Sequence, residues 1–131
     1  MIVIRDPSTV LQISNIAIRE LVQQRIDALH GDGFDIADIG YFLVVEPRDK
    51  LEAIDAQLGF PVLCNHFTGQ RRDQPNFTPS VELVEEFPAC YCIVFVLGQD
   101  GAGLEMFVPK EEGVPLELLE ICELHALRGA A

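Results

Sequence analysis

Cys64-Asn-His66 and Cys90-Tyr-Cys92 place three thiols and an imidazole in two tight pairs, and these are the ligand types that hold a tetrahedral zinc ion. Zinc knuckles usually separate paired ligands by two or more residues on a turn, whereas here a single residue intervenes. Cys90 and Cys92 also lie in an unbroken apolar run, Cys90-Tyr-Cys-Ile-Val-Phe-Val-Leu97, where free cysteine behaves as a small hydrophobe. Core packing is the first expectation for that pair; a metal site made from Cys64, His66, Cys90 and Cys92 is the secondary one, and no cofactor is implied. Nucleophilic chemistry is the other use of these types. Cys64 beside His66, or a cysteine reaching the distant His125, makes a thiolate–imidazole pair if the fold joins them and lowers the thiol pKa. Cys122 and His125 share a helix face, but Cys122 belongs to an apolar stripe.

Arg71 and Arg72 form an adjacent basic pair in a strongly acidic chain, next to Gln70, Asp73, Asn76 and Phe77. Two guanidinium groups in one loop suit bidentate grip of a carboxylate or phosphate. The stretch 65–79 has no hydrophobic periodicity, and a loop of that length in a small domain is usually functional. Arg71, Arg72 and Phe77 are therefore candidate partner-binding residues. Gly98, Gly101 and Gly103 join two strands, so they read as a hairpin turn and not as a dinucleotide fingerprint. Asp32, Asp35 and Asp38 recur every third residue, which does not match the calcium loop.

Twenty-one acidic residues against nine basic ones give a net charge of −12, which repels phosphate backbones and anionic membranes. Nucleic-acid and membrane binding are not expected. Apolar residues make up 49% of the chain, too many for an acidic disordered tail, so the acids coat a folded domain. Glu111, Glu112, Glu117, Glu120 and Glu123 can form one ridge along and before a C-terminal helix, because 117, 120 and 123 drift only slowly round it. Such a ridge steers a domain toward a basic protein, imitates the charge of DNA, or simply keeps the surface solvated. Neither a membrane-spanning run nor a leader is expected, since Met1-Ile-Val-Ile is already followed by Arg5. Cytoplasmic residence with free thiols is the expectation that follows.

The elements that must position these residues are legible from periodicity. Ile16, Ile18, Leu21, Val22, Ile26 and Leu29 predict a helix over 14–30, capped by Ser14 or Asn15 and ended by Gly31. Residues 1–5 read as a short strand, 6–9 as a turn or first helical turn, 32–40 as an acidic loop, and 41–45 as a buried strand. A helix over 48–58 opens with Pro47 near its first turn, and 60–64 reads as an edge strand because of Pro61. Strands within 80–108 form a meander around a central strand 90–97, with Cys90, Cys92 and Val94 on one face and Tyr91, Ile93 and Phe95 on the other. Pro115 opens a final helix over 115–127, with Leu116, Leu119, Cys122 and Leu127 on its apolar stripe and Leu118 and Ile121 widening it.

Residues 1–131 thus read as a single α+β domain with a mostly antiparallel sheet and three helices. The function expected is that of a small acidic accessory or regulatory domain of the kind bacteria use, binding another protein, a basic one foremost, through Arg71, Arg72 and Phe77 or through Glu117, Glu120 and Glu123. No catalytic residue is assigned. The alternative is a small enzyme or ligand-binding domain with a pocket near Cys64, His66 and the 65–79 loop. A homodimer formed through an edge strand or an uncovered sheet face is also open.

Overall fold

A computed structural model describes residues 1–65, 68–71, 74–76, 82–97 and 102–127. His66, Arg72, Asp73, Phe77, Gly98 and Gly101, expected in functional or turn loops, lie outside that set. Among the described residues six strands form one mixed sheet in the order β1-β2-β5-β4-β3-β6, where β1 is Ile2–Ile4, β2 Gly40–Val44, β3 Glu82–Glu86, β4 Cys90–Leu97, β5 Ala102–Pro109 and β6 Ala126–Leu127. The β3-β4-β5 meander is antiparallel throughout, and β4 lies in the middle of the sheet as its two-sided apolar pattern demands. Two pairings run parallel, β2 with β5 and β3 with β6, and both connect segments far apart in sequence.

Side chains alternate across this sheet, and each face has its own core. On one side Ile2, Ile4, Phe42, Val44, Cys90, Cys92 and Phe107 pack under helix α1, Ile16–Gly31, through Ile18, Val22 and Ile26. Phe42 meets Phe107 edge to face at 5.8 Å. On the other side Leu43, Tyr91, Ile93, Phe95, Leu104, Met106 and Val108 pack under α3, Leu51–Leu58, and α4, Leu116–His125. The domain is therefore α+β with helices on both faces of the sheet.

Local chemistry explains the element ends. The Asn15 side chain accepts from the Ile18 amide at 3.2 Å and starts α1. Gly31 is still helical; the left-handed residue is Gly33, whose amide donates to the His30 carbonyl while Phe34 donates to that of Leu29, closing a Schellman motif. A 3-10 helix at Pro7–Gln12 follows the Asp6 cap, and a single turn α2, Ile36–Ile39, interrupts the acidic loop. Helix α3 begins three residues later than Pro47 suggests. Residues 46–49 form a turn instead, in which Asp49 accepts from the Glu46 amide and Arg48 takes a left-handed conformation. The expected edge strand 60–64 is a turn as well, with one bridge between Cys64 and Arg71. Phe60 and Val62 still bury there, Phe60 edge to face with Phe95. None of the described helices is long and apolar enough to cross a membrane.

Candidate functional site

Two places concentrate chemistry. The first lies between α1 and the sheet, where β3 and β4 set Glu85 directly opposite Cys92 and β5 sets Glu105 opposite Val94, one diagonal away. All three point toward α1, and Arg25 reaches them from the same helical stripe as Ile18, Val22 and Leu29. Its Nη2 donates to Glu85 Oε1 at 2.7 Å, and Nη1 lies 3.6 Å from Glu105 Oε1. The Phe87 ring is 5.8 Å from the guanidinium carbon, and the Cys92 thiol donates to Glu105 at 3.5 Å. Burial is the main reason the Glu105 carboxyl titrates above its ordinary value, with Arg25 pulling the other way. Burial followed by the Glu105 charge drives the Cys92 thiol far up, and burial pushes Cys90 up to about 11. Arg25 stays firmly cationic, because its carboxylate partners outweigh the burial that alone would lower it.

Glu85, Cys92 and Glu105 hold their potential ligand atoms within 4.8 Å of one another. A cation would have to compete with Arg25, whose single charge already pairs with both carboxylates, and it would need a thiolate where the surroundings favour the thiol. The donor set therefore suits an internal ion pair that ties α1 to β3 and β5 better than it suits a metal. For the same reason Cys92 is poorly placed as a nucleophile.

The second place is the outer face of α4. At about 100° per residue, Glu123, Leu116, Glu120, Leu124 and Glu117 fall within an arc of about 120°. Leu118, Ile121 and Cys122 occupy the opposite arc and are buried against the sheet. Leu116 is 68% exposed and Leu124 is 75% exposed, and the three glutamates beside them are exposed as well. Two expectations for this helix are corrected: Leu116 leaves the stripe for the solvent side, and α4 ends at His125, so that Leu127 lies in β6; Leu118 and Ile121, expected to widen the stripe, carry the packing with Cys122. From Glu111 to Leu127 there are five glutamates and neither lysine nor arginine.

The remaining sequence candidates are dispersed. Cys64 is half-buried in the 60–65 turn, whose Val62 belongs to the core on the α3 and α4 side, while Cys90 and Cys92 belong to the core under α1. Cys122 is buried on α4 and all four cysteines are free thiols. His125 closes α4 with Nε2 shielded and without a hydrogen-bond partner among the described residues, and burial lowers its pKa. The segment after Cys64 satisfies much of its own polarity: buried Asn65 accepts from the Thr68 amide at 3.0 Å, and its backbone pairs with Gln70 and Gly69. Arg71 is exposed, and its amide donates to Gln74 at 2.7 Å.

The chain matches no family model, no curated protein and no solved structure. Function has to be argued from these surfaces alone. Sequence reasoning overlooked Arg25, Glu85 and Glu105 as a unit. The available signals were an arginine inside the apolar stripe of α1, seven residues past Ile18, and a lone glutamate in the apolar strand Leu104-Glu-Met-Phe-Val108.

Proposed function

We propose that this chain is a protein-binding domain of accessory or regulatory type, whose partner is a basic protein held on the outer face of α4. The observation that carries this reading is the pair of exposed leucines, Leu116 and Leu124, set among Glu117, Glu120 and Glu123 on a helix whose other side is fully used in the core. A glutamate ridge by itself is adequately explained by solvation. Two leucines exposed by more than two-thirds on the same short stripe are not, because they add apolar area to water without serving the fold. Carboxylates interleaved with exposed leucines attract a basic surface from a distance and then let it dock through dehydrated contacts.

The other described residues favour a binding role over a catalytic one. Among them the most chemically endowed cluster is an ion pair with a protonated thiol, and the cysteines are divided between the two cores and a turn. A photo-crosslinking residue at Glu120 tests the proposal, with one at Gln24 on exposed α1 as control. An adduct to one basic protein from position 120 and none from position 24 is the expected result. Equal, diffuse labelling from both positions would remove the assignment of α4.

A further inference from the structure

We infer that the element recognised by α4 is a basic amphipathic helix lying along it, an inference that rests on the protein-binding reading above. Leu116 and Leu124 are eight residues apart, so they sit about 12 Å apart along the axis, near one seam. Glu123 flanks that seam on one side and Glu117 on the other, with Glu120 between the two leucines. A second helix laid along this face can seat apolar side chains against the two leucines and place cations against Glu120 between them and against Glu117 and Glu123 at the edges.

Charge selects the occupant. A second copy of this chain would bring an equal glutamate ridge against the first, and like charges at helix edges oppose pairing. Anionic lipid headgroups and nucleic-acid phosphates are repelled in the same way. What remains is a helix carrying Lys or Arg beside an apolar stripe. Helix α4 spans ten residues, about 15 Å, so the contact is well below the roughly 800 Å² per partner of a stable complex. The association is therefore fast, reversible and sensitive to salt.

Fluorescence anisotropy with two labelled peptides of identical Lys/Leu composition tests this. One peptide places its leucines on a single helical stripe and the other scatters them. The wild-type domain should bind the amphipathic peptide about tenfold more tightly than its isomer, as expected for burial of two leucines in part. Leu116→Ser combined with Leu124→Ser should erase that preference while leaving the salt-dependent attraction common to both peptides. Glu117→Gln, Glu120→Gln and Glu123→Gln together should weaken both peptides. Retained thermal unfolding of each variant shows that folding is not the cause. Equal affinity of wild type for the two isomers, or a preference that survives loss of both leucines, would overturn the helix assignment. The crosslink from position 120 reads the protein-binding proposal separately: an adduct there with equal isomer binding removes only the helix, and no adduct removes the docking face itself.

Discussion

Replacing Arg25 with Met should destabilise the protein by about 2 kcal/mol near neutral pH, and the loss should depend on pH in a defined direction. Methionine keeps the apolar stem against Phe87 and removes the charge. Two unit charges about 4 Å apart attract by about 4 kcal/mol at an effective dielectric near 20, and removing one partner of a buried pair costs about 3–5 kcal/mol. Arg25 and Glu85 retain 28% and 30% exposure against 15% for Glu105, so solvent screening reduces the figure to about 2 kcal/mol. Burial already raises the Glu105 pKa, and Arg25 opposes it. Without Arg25 the folded carboxyl titrates higher still, above its unfolded value. A group of that kind stabilises the fold below its unfolded pKa and gives up that stability as pH rises toward the folded pKa. Urea unfolding should accordingly show a larger deficit at about pH 8 than at about pH 5. Adding Glu105→Leu should restore much of the loss, because an apolar residue removes the stranded charge. An equal deficit at both pH values, with no recovery in the double variant, would refute this account of the cluster.

Alkylation of the native protein at neutral pH should modify Cys64 first and leave Cys90, Cys92 and Cys122 intact until unfolding; rapid labelling of a second thiol would contradict the assigned burial. Gly113→Ala should cost about 1–2 kcal/mol in urea unfolding, since Gly113 has φ of +97° and an added Cβ would lie 3.2 Å from that of Pro47. Leu118→Ala should lose about 3 kcal/mol while Leu116→Ala changes stability by less than about 0.5 kcal/mol, and similar losses would show that the two faces of α4 have been exchanged.

Much of this fold was legible because its strongest patterns are local. The two-sided apolar run at Cys90–Leu97 required a central strand, and the stripe of Ile18, Val22 and Ile26 required a helix packed on one side. Parallel pairing of β2 with β5, and of β3 with β6, left no such mark, because register between distant segments is set by the assembled cores. The 60–64 segment misled for a related reason. Phe60 and Val62 are apolar because they plug the α3-side core, and Pro61 with the Asp55 carboxylate, which accepts from the Val62 amide at 2.9 Å, holds them as a turn.

The candidate site was legible only in part. Glu117, Glu120 and Glu123 could be placed on one ridge by spacing, but Leu116 looked like core and Leu124 was not singled out. Nothing in the spacing shows which side of a helix rich in leucine on nearly every face turns to the sheet. Arg25, Glu85 and Glu105 escaped because their proximity exists only across three elements. Residue type alone favoured the cysteine and histidine pairs, and the fold divides their described members between different environments.

Docking of a basic protein on α4 is best tested by affinity capture from native cell lysate with wild type and with the combined Glu117→Gln, Glu120→Gln, Glu123→Gln variant, followed by binding of the purified captured protein at low and physiological ionic strength. The expected result is a basic protein that wild type retains, that the variant loses, and whose affinity for wild type falls steeply with salt. A partner bound equally by both proteins and indifferent to salt would contradict it.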